Sequence, residues 1–285
     1  MATVMFSVIR KIHVLRIPSG PIYSHTGQGQ AVDIAVKRLR LMITPLIIAN
    51  WKMAIDKDGI EAFQAHWNTQ SAIDGVEVVV APPAPYLSLV EGLIGVSLGA
   101  QNVSENDMGA HTGEIAALML ANFGCRYVIV GHSERRQNQA ESNISVAQKA
   151  KRAQMAGLTP VVCVGEPNSV RATGDAVAYV TEQVESSCQN LDEKLVIAYE
   201  PVWAIGSGQA ASPSIATEMH VEIKAALADR YPELRVIYGG SVNEDNCADF
   251  TSSEGIDGLL VGGASLSAES FWNICLSVKG VESWR

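Results

Sequence analysis

What is missing from this chain of 285 residues narrows its class before any motif is considered. No run is both apolar and long enough to cross a bilayer, so no membrane-spanning helix is expected. The five cysteines are scattered, odd in number and never in CxxC spacing. That pattern argues against a disulfide framework or a zinc knuckle and fits a reducing compartment, so a cytoplasmic location is expected. Excess positive charge is missing as well. The formal net charge is −9, which argues against nucleic acid as a partner. What remains, 47% hydrophobic and 18% charged, is the composition of a soluble globular protein with a sizeable core.

Residues 1–41 differ in style from the rest. They hold Arg10, Lys11, Arg16, Lys37, Arg38 and Arg40 against one acid, Asp33, a balance of +5 within the total of −9, so the remainder carries −14. Their middle, PSGPIYSHTGQGQ, is too rich in Pro, Gly and Ser to bury a core and reads as loop or disorder. The segment is poor in acids, as transit peptides are, but lacks their Ser and Arg density and has no uninterrupted apolar core of a secretory signal. We read 1–41 as a non-catalytic extension and 42–285 as a single catalytic domain, with Met42 a natural starting point.

From residue 45 short apolar runs alternate with amphipathic stretches. The strand candidates are LIIAN (46–50), VEVVVA (76–81), VSLGAQ (96–101), YVIVGH (127–132), PVVCVGE (160–166), LVIAYE (195–200), RVIYGG (235–240) and GLLVGG (258–263). Helical stretches such as IEAFQAHWNTQ, GEIAALMLANFG, ISVAQKAKRAQMAG and SIATEMHVEIKAALADRY lie between them. Such alternation indicates βαβ units and a parallel sheet, and about eight units over this length fit an α/β fold of the (β/α)8 barrel kind. A doubly wound open sheet is the rival, but no GxGxxG follows an early strand.

Polar residues collect at the strand ends: Asn50 and Lys52, Gln101, His132 and Glu134, Glu166, Glu200, Ser241, and the pair Gly262–Gly263. In a closed parallel barrel these ends share the face that carries active sites. The most informative stretch is AYEPVWAIGSG (198–208), where Glu200 ends an apolar run. Pro201 then fixes φ, Val202, Trp203, Ala204 and Ile205 form a stiff apolar segment, and Gly206, Ser207 and Gly208 can absorb large dihedral changes. This reads either as a base beneath a lid or as an ordinary strand-to-helix loop with a solvated Glu. His132 is followed by SERR, which would open a helix. A helix N-terminus disfavours the imidazolium, leaving a neutral ring able to donate to a carbonyl oxygen. Lys52 supplies a cation, and no metal-ligand cluster accompanies these groups. The set suits proton abstraction beside a carbonyl, with stabilisation of an enediolate. YGGS (238–241) and VGGAS (261–265), with a helix expected near Ser265, suggest a phosphate site; tight turns needing positive φ are the plainer reading.

IIANWKM (47–53), YVIVGHSERR (127–136), AYEPVWAIGSG (198–208) and VIYGGS (236–241) resemble, in order and spacing, the signature segments of the triosephosphate isomerase family. GAQNVSENDMGAHTGE (99–114) and GLLVGGASL (258–266) fit as well, and the similarity spans roughly residues 45–280. The resemblance implies interconversion of dihydroxyacetone phosphate and D-glyceraldehyde 3-phosphate, a step of glycolysis and gluconeogenesis, with no cofactor and no metal. It implies Glu200 as catalytic base, His132 as neutral electrophile and Lys52 as the cation by the substrate, with Asn50 beside it. Gly206, Ser241, Gly262 and Gly263 would offer backbone amides to the phosphate, and 201–208 would be the closing lid. The family is usually a homodimer in which Thr112 reaches the partner's site; here His111 stands where Phe or Tyr is commoner.

Two rivals are weighed against this. A catalytically dead barrel used as a binding module would be expected to lose Asn50, Lys52, His132 or Glu200, and all are present. An aldolase would need a Lys within a strand, and none of the strand candidates contains one. Met119, Phe271 and Trp272 are expected in the core, Cys163 as core packing, and His66 and His220 on helix surfaces.

Overall fold

The computed structural model describes residues 44–192, 194–205 and 210–279; residues 1–41 and Gly206, Ser207 and Gly208 of the expected lid lie outside the described residues. Eight parallel strands close into a barrel, each bonded to its neighbour in chain order, with the last returning to the first. They are β1 Leu46–Asn50, β2 Glu77–Ala81, β3 Val96–Ala100, β4 Tyr127–Val130, β5 Thr159–Val164, β6 Val196–Tyr199, β7 Arg235–Tyr238 and β8 Gly258–Val261. The described helices are α1 Lys57–Trp67, α2 Ala117–Asn122, α3 Ser133–Asn138, α4 Asn143–Met155, α5 Asn168–Thr173, α6 Ala176–Ser187, α7 Pro213–Leu227, α8 Cys247–Ser252 and α9 Ala268–Lys279. A 3-10 turn, Ala84–Leu89, stands between β2 and β3.

The continuous apolar strands follow from burial on both faces. Alternate residues divide into two layers. Leu46, Ile48, Val79, Ile129, Val161, Ala198, Ile237 and Leu260 fill one cluster, the barrel interior. Their sequence neighbours Ile47, Ala49, Val78, Val128, Val162, Ile197, Val236 and Leu259 join the second, between strands and helices. Helix starts are set locally: Asp56, Ser142 and Ser212 accept from Gly59, Ser145 and Ile215 N–H, and Pro213 takes the first turn of α7. At the barrel floor Arg235 bonds Glu77 (2.7 Å) and the Tyr127 hydroxyl (3.0 Å), tying β2, β4 and β7 together.

Three expectations about side chains change. His220 is fully buried on α7, its Nδ1 3.2 Å from Gly255 O, and burial pushes it down to about 3. Because α7 packs against both the barrel and α8, the face that carries His220 is not a surface. Met119 is exposed on the short helix α2, and Trp272 is only partly buried, whereas Phe271 is in the core.

Candidate active site

Most strands end one or two residues before the expected boundary, and the trimmed residues are those that form the site. His132, Glu166, Glu200, Gly239, Gly262 and Gly263 all lie just beyond the last ladder residue of their strand. Gly165 shows why the chain can pass so close there. A Cβ on it would fall 1.7 Å from Glu200 O, so only glycine lets the ends of β5 and β6 meet.

Glu200 is almost fully buried. Its backbone N–H continues the β5–β6 pairing by donating to Val164 O at 2.7 Å. Its Oε2 accepts from Ser133 N–H at 2.8 Å, and its Oε1 lies 2.9 Å from His132 Nε2 without an aligned hydrogen bond among the described residues. Burial pushes this carboxyl up, but His132, the Ser133 N–H and Lys52 together hold it below the ordinary range, so it is ionised at neutral pH.

His132 caps α3, and its Nδ1 accepts from Glu134 N–H at 3.3 Å. That leaves the proton on Nε2, facing Glu200. Sequence reasoning expects the helix N-terminus to decide the charge of this ring. In the folded chain burial does depress it, but the adjacent Glu200 carboxylate raises it by more, so the net direction is upward. A substrate oxygen placed between the two would weaken that upward pull.

Lys52 adopts a left-handed conformation, φ 49°, uncommon for a residue with a side chain. Asn50 Oδ1 accepts its N–H at 3.1 Å, and Gln101 donates to its carbonyl at 2.9 Å. So held, its ammonium pairs with Glu134 at 2.6 Å, and its stem passes beside Gly262, where a Cβ would stand 3.6 Å from Lys52 Cε. Asn50, Lys52, His132, Glu200, Ile205, Ser241, Gly262 and Gly263 line one cavity of about 350 Å³. The expected helix near Ser265 is instead a 3-10 turn, Gly263–Leu266, with α9 beginning at Ala268. Ser265 Oγ folds back onto Val261 O, and Trp51 donates to Ser265 O at 2.9 Å, which fixes this turn.

The described part of the expected lid is held mostly by residues to which sequence reasoning assigns no role. Val202–Ala204 forms a 3-10 turn. Trp203 Nε1 donates to Glu166 at 2.8 Å, and Glu166, fully buried, also accepts from Tyr199 OH and from Arg171 (3.1 Å). The Arg171 guanidinium lies 4.6 Å above the Trp203 ring. Ser241 Oγ donates to Ala204 O at 2.9 Å, joining the lid to the strand-seven turn. Glu166 was legible only as one more polar residue at a strand end; Arg171 and Tyr199 carried no sequence signal. Cys163 is buried beside Glu200, and burial and that carboxylate push its thiol well up, which suits packing and not nucleophilic chemistry.

Thr112 is exposed on the loop after β3 and is not among the residues lining the 350 Å³ cavity. The base of this loop is fastened to α4: Lys149 donates to Asn102 at 3.0 Å, and Arg152 bonds Glu105 O at 3.1 Å and Asp107 at 2.6 Å. Beside the site a second cavity of about 650 Å³ is bounded by Lys52, Tyr86, Gln101, Gly113, Glu134 and Gln139. No described helix is long and apolar enough to cross a membrane.

Comparison with known proteins agrees with this geometry. The family profile described as triosephosphate isomerase matches residues 45–278. The triosephosphate isomerase of Thermus thermophilus is 45% identical over 238 residues, covering 79% of this chain and 95% of the relative. That of Bordetella pertussis is 45% identical over 236 residues, covering 80% and 95%. The crystal structure of the isomerase from Bartonella henselae superposes with a TM-score of 0.75 at 34% identity, covering 83% of this chain and all of that one.

Proposed function

The chain belongs to the triosephosphate isomerase family, and we propose that it interconverts dihydroxyacetone phosphate and D-glyceraldehyde 3-phosphate by proton transfer through an enediolate. The observation that carries this reading is one cavity holding a buried carboxylate, an imidazole with its proton on the facing nitrogen, a cation and a glycine turn. Glu200 removes a proton from the carbon beside the carbonyl. His132 donates from Nε2 to the oxygen that gains charge, and Lys52 stabilises that charge. Asn50 keeps Lys52 in its left-handed conformation. The amides of Gly206, Ser241, Gly262 and Gly263 bind the phosphate. With these partners alone Glu200 is a weak base, because His132, Ser133 and Lys52 all favour its charged form. Entry of substrate between Glu200 and His132 removes part of that support while burial persists, so the carboxylate becomes a stronger base where the proton is to be taken. The segment Pro201 to Gly208 closes over the intermediate and excludes water. A coupled assay for interconversion of the two triose phosphates tests this directly, and its absence in the folded protein would overturn it.

The active assembly is a homodimer in this reading, located in the cytoplasm. The exposed Met108, His111 and Thr112 project on a loop whose base is fixed, and the 650 Å³ cavity beside Lys52 offers a second copy's loop a place to seat. Shortening residues 102–113 should give a monomer of much lower turnover; an unchanged, fully active dimer in sedimentation would overturn it. Catalysis resides in residues 42–285, so a chain starting at Met42 should turn over like the full one.

A further inference from the structure

A third cavity, of about 200 Å³, lies behind Glu200, on the side away from the substrate. It is bounded by the turn into α3 (Ser133, Gln137), the end of β5 (Gly165), α6 (Tyr179, Gln183) and Glu200 itself. Glu200 is thus the wall shared by two cavities, one lined with the substrate-side residues and one opening between α3 and α6. Two features suit the rear cavity to water. Ser133 is 95% buried, and its Oγ is buried with no hydrogen-bond partner among the described residues. Its polar boundary is otherwise satisfied at only some atoms: Gln183 Oε1 accepts from Gly165 N–H at 2.7 Å, leaving the Gln183 amide N–H groups to serve another partner. A volume of this size has room for several waters. At the outer end Gln137 and Tyr179 are exposed and frame the mouth.

We propose that this rear cavity is a solvent channel through which the proton on Glu200 exchanges with bulk water, with the Ser133 hydroxyl as relay. The proposal rests on Glu200 being the base. After abstraction the substrate C–H bond is broken, its electron pair is in the enediolate, and the proton is on a Glu200 oxygen. That O–H bond then breaks toward a channel water that also bonds Ser133 Oγ, while a solvent proton returns by the same path to the carboxylate. Reprotonation at the neighbouring carbon then delivers the solvent proton and not the original one. No electron is gained or lost, and no co-reactant other than water is needed. Val202 also borders the rear cavity, whose mouth lies between α3 and α6, while Ile205 borders the substrate cavity.

The test is isomerisation of unlabelled dihydroxyacetone phosphate in D2O, reading product that carries deuterium at C2 against product that retains hydrogen. Ser133→Ala keeps the backbone N–H that holds Glu200 and removes the relay. Gln137→Trp narrows the mouth at an exposed position remote from substrate. Both should lower the deuterated-to-retained ratio, in Ser133→Ala roughly fivefold to tenfold, the factor that follows from losing one water-mediated hydrogen bond. Tyr179→Ala should raise it. Gln137→Trp should leave the isomerisation rate unchanged. An unchanged ratio in Ser133→Ala and Gln137→Trp would mean that exchange passes through the front of the site, and the channel is overturned. If Ser133→Ala does not fold, the opposite shifts in Gln137→Trp and Tyr179→Ala decide it. Full turnover in Glu200→Gln would instead remove the base assignment, an outcome separable from any change of ratio.

Discussion

Replacing Glu200 by Gln is the most direct test of the proposed chemistry, and the structure sets what it should cost. Gln is isosteric, so the end of β6, held by the 2.7 Å bond from Glu200 N–H to Val164 O, is undisturbed. The side chain meets two donors, Ser133 N–H at 2.8 Å and His132 Nε2 at 2.9 Å. A carboxylate can accept from both, whereas an amide can accept from only one and presents its own N–H groups to the other. Turning the imidazole over does not relieve the conflict, because Nδ1 already accepts from Glu134 N–H. One buried donor is left facing a donor, a cost of about 1–3 kcal/mol, partly offset because no charge is then buried. The variant should fold with a modest change in thermal stability. Turnover should fall far more, by about 10²–10⁴-fold, the range for a positioned general base, equivalent to about 3–5 kcal/mol of barrier. Glu200→Asp separates presence of the base from its placement. It withdraws the carboxylate by one methylene, and a misplacement of that order should still cost about 10²-fold. The assay is coupled isomerisation of both triose phosphates, with circular dichroism and thermal melting on the same preparations. A folded Glu200→Gln enzyme within tenfold of the parent would refute the assignment.

Three further outcomes are expected. Replacing Trp203 to Ile205 by a short Gly link removes the Trp203–Glu166 and Ala204–Ser241 contacts, so the intermediate should leave more often as methylglyoxal and phosphate; an unchanged ratio of methylglyoxal to isomerised product would show that the loop is only a connection. At the barrel floor burial pushes the Glu77 carboxyl up, but Tyr127 and Arg235 pull it further down, to a net value below the ordinary carboxylate range. Its stabilisation is therefore present above the unfolded carboxyl value and lost as pH falls through the folded one. Glu77→Gln should destabilise at pH 7 by about 1–3 kcal/mol, with the difference from the parent shrinking in acid denaturation series below about pH 4.5. His220, pushed down by burial to about 3, is neutral in the folded chain, while the unfolded chain protonates it near 6.5. Folding then loses up to about 1.4 kcal/mol per pH unit from this group as pH falls between those values, so the stability profile of His220→Leu should be flatter there; parallel profiles would contradict its burial as a neutral ring.

The proposed catalytic pair was legible because of where its members stand along the chain. An acid or a histidine that interrupts an apolar run and is followed by Pro or by a helix start sits at a strand end, and in a parallel barrel all such ends converge. Glu200 and His132 could be picked out on that ground, Lys52 as a cation just past an apolar strand, and the family resemblance follows the same segments. The anchor of the lid was not legible in this way. Glu166, Tyr199 and Arg171 come from the turn after β5, from β6 and from α5, and what unites them is a shared buried carboxylate that appears only when the strands are adjacent.

Sequence by itself determined the barrel, because eight apolar runs spaced by amphipathic stretches have few other ways to bury both faces of every strand. It also determined that the polar groups share one end, since parallel strands point the same way. Tertiary structure alone decided the charge balance of the site. The helix start at Ser133 acts on His132 locally, but the carboxylate that opposes it is 68 positions along the chain and only 2.9 Å away in space. Tertiary structure also decided that His220 is core, because burial depends on which helix faces find neighbours, and that Lys52 holds a left-handed backbone, because Asn50 at the end of β1 and Gln101 just past β3 pin it. Short-range pattern reports which surfaces must be hidden; electrostatic and hydrogen-bond partners are set by distance in the folded chain.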